Sequence, residues 1–270
     1  ENNKESMGRM NEWEPPFNHS IEEAYQEHLR RRSSQNRKVV SFNWRPLAIS
    51  ISAAAAAILA FILLWPDQPL IHSVAALGET KEIQLPDGSH VTLAPGSSVH
   101  YAADFAKHRS IELQGKAYFD VIPGSPFSVI THQGIVDVLG TTFDVVQRDT
   151  VFEVGCYSGK VRVSSGNQKV ELLPGSGARR SGGKIILEEM SSDSPAWTDG
   201  LLLFEDELAG AVIQELERQF DVRVAVSAEI ASKTYTGSFR NDDLNEALRS
   251  VLIPLGATYT IHGKDVVVKP

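Results

Sequence analysis

The side chains that most often carry chemistry in proteins are scattered along this sequence. No Cys/His spacing typical of a zinc site surrounds the one cysteine, Cys156, and neither G-x-x-x-x-G-K-S/T nor G-x-S-x-G occurs. Cys156 lies in a strand-like run, which favours a small core residue over a nucleophile. The histidines are also scattered: they are His19, His28, His72, His90, His100, His108, His132 and His262. We therefore predict no catalytic, cofactor-binding or metal-binding residue and no enzyme activity.

Two of these histidines, His90 and His100, fall in neighbouring segments that read as strands. They could therefore meet on the surface of a sheet. Histidines on a β surface are usually solvated, so we interpret the pair as solvent-exposed and expect no ligand there.

The most hydrophobic stretch runs from Leu47 to Trp65 and contains 19 residues without a charge. As a helix it would be about 28 Å long, close to the thickness of a bilayer core. We predict a single transmembrane helix over 46–65. A buried helix and a cleaved signal peptide are the alternatives, and the 46 residues ahead of the stretch disfavour the latter. The predicted anchor residues are Leu47, Ile51, Ala55, Leu59, Ile62 and Leu64.

Basic residues before this stretch indicate its orientation. Between His28 and Arg45 the sequence has six bases and no acid. The positive-inside rule then predicts a cytosolic N-terminus, with the larger C-terminal part in the periplasm. The basic residues that set this topology are Arg30, Arg31, Arg32, Arg37, Lys38 and Arg45.

Composition limits the possible partners of the C-terminal part of the chain, which follows the predicted transmembrane helix. The whole chain has a net charge of −8, and the residues before 47 are nearly balanced, so the excess of acids lies after them. An acidic surface disfavours nucleic acid as a partner. A single cysteine allows no intramolecular disulfide, so hydrophobic cores must hold this part together.

From Leu77 to about Met190 apolar residues alternate with polar ones in short runs separated by turn signals. Pro86, Asp87 and Gly88 form one predicted turn, and Pro95 with Gly96 forms another, because proline fixes φ and Asp and Gly accept turn geometries. Many short strands at close spacing predict an all-β sandwich or roll.

From Trp197 the pattern becomes mixed. Leu201–Phe204 reads as a strand, and 207–220 reads as an amphipathic helix whose first turn would be favoured by the acidic run Glu205–Glu207. A second helix is predicted over 242–253, followed by two strands. The order βαβ-βαββ predicts a small α/β domain with both helices on one face of a sheet.

Four blocks of the β segment resemble the FecR family of cell-envelope signal transducers. They are LPDGSHVTLAPGSSVHY from Leu85, RSIELQGKAYFDV from Arg109, PFSVIT from Pro126 and VDVLGTTFDV from Val136. Lys116 stands where the family usually has Glu. The segment after Trp197 is similar to the C-terminal domain of such proteins, which itself resembles the short N-terminal domain of secretins and TonB-dependent transducers.

The resemblance implies an anti-sigma factor or sigma regulator in the bacterial inner membrane. Its implied partners are an extracytoplasmic-function sigma factor in the cytosol and, outside, the signalling domain of a TonB-dependent outer-membrane receptor of the iron or polysaccharide uptake type. The sequence begins with Glu1, and we expect 1–45 to be a shortened sigma-binding region. The alternative function is a membrane-anchored glycan- or peptidoglycan-binding β module.

Together these observations predict an α+β multidomain protein. Its expected parts are a cytosolic segment (1–45), a transmembrane helix (46–65), a linker (66–76), a FecR-type β domain (77–190), a second linker (191–196) and a small α/β domain (197–270). The partner-binding residues are not predicted.

Overall fold

The structure is a computed structural model, and it describes residues 69–190, 192 and 194–270. The described residues all belong to one compact unit. The predicted cytosolic segment, transmembrane helix, anchor residues and topology residues lie outside the described residues. Two regions can be distinguished within the described chain, which we call the β region (70–190) and the α/β region (195–270).

The β region consists of thirteen strands in two sheets that share β5. One sheet has the order β11-β10-β7-β6-β5-β4-β1, and the other has the order β2-β3-β5-β8-β9-β12-β13. The strands are β1 (Leu70–Val74), β2 (Lys81–Gln84), β3 (His90–Leu93), β4 (Ser98–Ala102), β5 (Ser110–Asp120), β6 (Phe127–Ile130), β7 (Ile135–Val138), β8 (Thr142–Arg148), β9 (Val151–Cys156), β10 (Val161–Ser165), β11 (Gln168–Leu172), β12 (Ser176–Ser181) and β13 (Lys184–Glu189).

Strand β5 belongs to both sheets because its eleven residues alternate almost without a break. Ile111, Leu113, Gly115, Ala117 and Phe119 are buried, and the residues that alternate with them are half-buried or exposed. At its centre Gly115 has a φ of 103° and passes close to Ser97, so that a Cβ there would lie 2.4 Å from the Ser97 Oγ. Only glycine allows this approach.

The core of the β region lies between the two sheets. Phe119 stacks on Phe143 with ring centroids 4.9 Å apart and contacts the edge of Phe127 at 6.2 Å. All three rings are fully buried. Aromatic contacts of this kind add to the area that the rings bury, so the two sheets are held face to face.

The α/β region has two small sheets around a second core. β14 pairs with β16, and β18 pairs with β15 and β17. Its elements are a 3₁₀ turn (Ala196–Asp199), β14 (Leu201–Leu208), α1 (Ala209–Phe220), β15 (Arg223–Ala225), α2 (Ala228–Ala231), β16 (Thr234–Arg240), α3 (Leu244–Leu252), β17 (Thr258–His262) and β18 (Asp265–Lys269).

Helix α1 follows from its amphipathic pattern. Val212, Ile213 and Leu216 are buried on one side and join the second core. The helix ends at Asp221, which adopts the left-handed conformation with a φ of 51° and forms an ion pair with Lys264.

The predicted α+β class with a single transmembrane helix is wrong. The described chain is mostly β, because alternating runs form far more of it than the three short helices do. The longest described helix, α1, has 12 residues, against the roughly 20 apolar residues that a span needs. Among the described residues no helix is long and apolar enough to cross a membrane. The stretch on which the span was predicted, Leu47–Trp65, lies outside them.

Three further details differ from the sequence predictions. Strand β1 lies within 66–76, which was predicted as a linker, and it pairs with β4. The acidic run Glu205–Glu207 belongs to β14 rather than to a helix, because a bulge lets that strand continue to Leu208. The single sheet expected after Trp197 is two sheets.

Candidate functional site

The predicted turn residues lie between strands of the β region. Pro86, Asp87 and Gly88 connect β2 to β3, where the Gly88 N–H donates to the Leu85 carbonyl at 2.9 Å. Pro95 and Gly96 connect β3 to β4, and Gly96 has a φ of 71°. Both turns also contribute to buried polar clusters.

The first cluster surrounds Arg109, and we call it the Arg109 cluster. The Arg109 Nε donates to the Asp87 carboxylate at 2.7 Å, and the two side chains are only 4% and 8% exposed. Its two Nη atoms donate to the carbonyls of Ser125 and Ile122 at 2.7 and 2.8 Å. The guanidinium also lies 5.4 Å from the centroid of the Phe127 ring. This cation therefore holds the β2–β3 turn against the loop that follows β5.

Ser89 completes the Arg109 cluster. Its hydroxyl donates to Asp87 at 2.9 Å and accepts from the Ile122 N–H at 3.2 Å. The cluster thus has a hydrogen-bond partner for each Arg109 nitrogen, as a buried charge requires. Its geometry is that of a structural ion pair.

The second cluster lies where α1 faces the β region, and we call it the Glu215 cluster. The Glu215 carboxylate accepts hydrogen bonds from Arg148 on β8, from Arg218 at 3.0 Å and from Gln219 at 2.9 Å. Burial acts to raise the pKa of Glu215, but the surrounding cations outweigh it and hold that pKa below its usual range. The carboxylate is therefore ionised and links the two regions.

Arg148 extends the Glu215 cluster into the β region. One of its Nη atoms donates to the Pro95 carbonyl at 3.0 Å, so the β3–β4 turn is joined to the Glu215 cluster. Its Nε is buried and has no hydrogen-bond partner among the residues that the structure describes. The Glu215 cluster is therefore less completely satisfied than the Arg109 cluster.

A third cluster surrounds Asp144 on β8. Its carboxylate accepts from the Tyr157 hydroxyl at 3.1 Å and from the Trp197 indole N–H at 3.4 Å. The Lys116 Nζ lies 5.0 Å from the centroid of the Trp197 ring. Burial raises the pKa of Asp144 and lowers the pKa of Lys116. Trp197 thus fixes the start of the α/β region on the face of β5 and β8.

The histidines are not arranged as the sequence suggested. His90 lies opposite Gln84 and Asp120, whereas His100 lies opposite His72 and Glu112. The rings of His72 and His100 are 3.9 Å apart. Nearby is an open cavity of about 560 Å³ lined in part by His100, Glu112 and His132. Among the described residues, no group of three or more His, Cys, Asp or Glu side chains is arranged to hold a metal ion.

Cys156 belongs to the core of the β region and is fully buried. Its thiol lies 3.5 Å from the Ser158 carbonyl, and burial raises its pKa. A protonated, buried thiol is a poor nucleophile.

Sequence reasoning missed the three polar clusters. Arg109 and Asp144 lay within the blocks that carry the family resemblance, but nothing in their spacing indicated partners. Arg148 and Glu215 are 67 residues apart, and only the packing of α1 on the β region brings them together.

Comparisons with known protein families match both regions of the chain. A family model described as "FecR protein" matches residues 73–162, and one described as "FecR, C-terminal" matches residues 201–268. Two crystal structures of a protein from Parabacteroides distasonis ATCC 8503, described as a "putative anti-sigma factor", resemble this chain with a TM-score of 0.68 and 28% identity. The similarity covers 74% of this chain and 98% of that chain. Comparison with curated proteins finds no match.

Proposed function

The chain belongs to the FecR family, and from this premise we propose that it is a membrane-associated regulator of a sigma factor rather than an enzyme. The observation that carries the proposal is the similarity to the Parabacteroides protein, since it covers nearly the whole of that chain. We propose that 77–190 and 197–270 are its two extracytoplasmic domains.

We place the described residues on the periplasmic side of the inner membrane. The outer partner would be the signalling domain of a TonB-dependent outer-membrane receptor, and the inner partner an extracytoplasmic-function sigma factor. The match of 201–268 to the C-terminal model of the family, whose domain resembles the short N-terminal domain of secretins and TonB-dependent transducers, supports this arrangement. The acidic balance of the chain supports a protein partner over nucleic acid.

For docking of the outer partner we propose the free edge of β14. Among the described residues β14 pairs only with β16, so its other edge offers backbone groups for strand addition. Leu203 and Leu208 on this strand are 65% and 58% exposed. Within the described residues β17 is also an edge strand, but its exposed residues Thr258, Thr260 and His262 are polar, which favours β14.

The test uses the full chain in its own bacterium with a reporter driven by the sigma factor. We expect deletion of the gene to change reporter output, and Leu203→Lys to abolish induction at normal protein levels. Leu173→Lys is the matched control, since Leu173 is 57% exposed in the β region, and it should respond like the wild type.

Two results would contradict these proposals separately. If deletion leaves the transcripts of every sigma regulon unchanged, the regulatory function is wrong. If deletion changes them but Leu203→Lys responds normally, the docking surface is wrong and the regulatory function stands.

A further inference from the structure

The last turn of α1 contacts the segment that follows β1. The Gly78 N–H donates to the Arg218 carbonyl at 2.8 Å. That carbonyl belongs to the last turn of the helix, where backbone oxygens approach the end of the intrahelical ladder and need outside donors. A Cβ at Gly78 would lie only 3.5 Å from the Asp221 Cβ. The backbone of 75–78 and the end of α1 are therefore in direct contact.

The preceding turn of α1, which carries Glu215, is tied to the β region by charge. Arg148 joins Glu215 to the Pro95 carbonyl, and the next residue, Gly96, donates its N–H to the Ala75 carbonyl at 3.2 Å. The Ala75 N–H in turn donates to the Ser97 carbonyl at 2.9 Å. Three segments thus form one hydrogen-bonded group, which we call the latch: 75–78, 95–97 and 215–221.

Strand β1 has few other contacts within the part of the chain that the structure describes. There it lies at the edge of its sheet and pairs only with β4, and the exposed Lys81 Nζ donates to the Val74 carbonyl at 3.2 Å. Leu70 and Val74 are 70% and 49% exposed, and Ile71 is 38% exposed. The first fully buried residue after the strand is Ala75, which belongs to the latch. Strands that bury so little apolar surface open locally at low cost.

We propose that the latch controls whether β1 stays in its sheet. When the α/β region is displaced from the β region, Glu215 leaves Arg148, the 75–78 segment loses the end of α1, and β1 separates from β4. Residues 1–69 precede β1 in the chain. Whether β1 is paired with β4 or separated from it is therefore passed to them through the backbone. The latch is a property of the chain alone and does not depend on the identity of any partner.

The test is hydrogen exchange of the full chain, purified in a mild detergent, followed by mass spectrometry. In Glu215→Gln we expect the amides of 71–74 to exchange at least tenfold faster than in the wild type. The edge strand β13 should exchange at an unchanged rate. The matched control is Glu188→Gln, which removes the exposed ion pair between Arg179 and Glu188 and should leave β1 unaffected.

A disulfide provides a second test in which one protein is compared in its two redox states, so that the strain of a side chain at Gly78, whose φ is 75°, is the same in both. The short Cβ–Cβ distance at Gly78 and Asp221 suits a disulfide in the double variant Gly78→Cys/Asp221→Cys. In the oxidised protein we expect 71–74 to exchange at least tenfold more slowly than after reduction. Equal exchange in the two redox states would overturn the proposal, as would unchanged exchange of 71–74 in a folded Glu215→Gln protein.

Discussion

Two arginines with little solvent exposure, Arg109 and Arg148, have different surroundings in this protein. Arg109 lies within the β region, is 4% exposed, and finds an acceptor for every nitrogen. Arg148 lies between the regions, is 11% exposed, and its Nε has no partner among the described residues. Both pair with a buried carboxylate, so the difference lies in the remaining hydrogen bonds.

This difference separates a contact that fixes the fold from one that can open. A buried charge whose hydrogen bonds are all made is costly to disturb, because every bond must be broken without replacement. A guanidinium with an unpaired N–H regains a water partner when its site opens. We infer that the Glu215 cluster opens more easily than the Arg109 cluster.

The largest effect is expected from Arg109→Met. The substitution leaves the Asp87 carboxylate buried without its cation, and breaking a buried pair from one side costs about 3–5 kcal/mol. Chemical denaturation of the full chain, followed by intrinsic fluorescence, measures the loss. Arg179→Met is the control, because its pair with Glu188 is exposed and should contribute about 0–1 kcal/mol. Equal losses in the two variants would contradict the structural role of Arg109.

A smaller effect is expected from Glu215→Gln. The amide keeps the size of the side chain and some of its hydrogen bonds, but it leaves Arg148 without a counter-charge, so we expect a loss of about 1–3 kcal/mol. The loss should appear as separate unfolding of the two regions, since the cluster joins them. A single transition shifted as far as that of Arg109→Met would show that the two clusters are equivalent.

The coupling between Arg148 and Glu215 gives a more specific comparison. In a double-mutant cycle with Arg148→Met and Glu215→Leu, we expect the double variant to lose less stability than the two single variants together. The difference should be about 0.5–3 kcal/mol, because two apolar side chains leave no unpaired charge. Additive losses would mean that the two residues act independently.

The sequence predicted the local features of both regions better than the contacts between them. The alternation of β5 and the amphipathic pattern of α1 are local properties, and β5 forms where its pattern lies, while α1 begins two residues later than predicted and ends at the predicted residue. The pairing of Arg148 with Glu215 depends on how two distant elements pack, which periodicity does not encode. β1 was missed because its short exposed strand reads like a linker.

The family blocks showed where the β region lies but not what its polar residues do. Asp87 was predicted only as a turn residue, and its turn geometry gave no sign that it also neutralises Arg109. Lys116 and Asp144 lie on different strands, and their proximity follows from the antiparallel register of β5 and β8. Such partners become visible only when the register is known.

The smallest effect concerns pH and distinguishes the Glu215 cluster from the Asp144 cluster. The folded-state pKa of Glu215 is depressed, so its stabilising contribution is present above the unfolded pKa of about 4.3 and is lost as pH falls through the folded value. The folded-state pKa of Asp144 is raised by burial. Its contribution is therefore present below about 3.9 and is lost as pH rises through the folded value.

The two variants Glu215→Gln and Asp144→Asn should consequently show opposite trends in free energy of unfolding between about pH 3 and pH 7. Relative to the wild type, Glu215→Gln should become less stable as pH rises, whereas Asp144→Asn should become more stable. Denaturation of the full chain at each pH measures both differences. Parallel trends would mean that the two carboxylates respond to the same environment, and the distinction between the clusters would then rest on Arg148 alone.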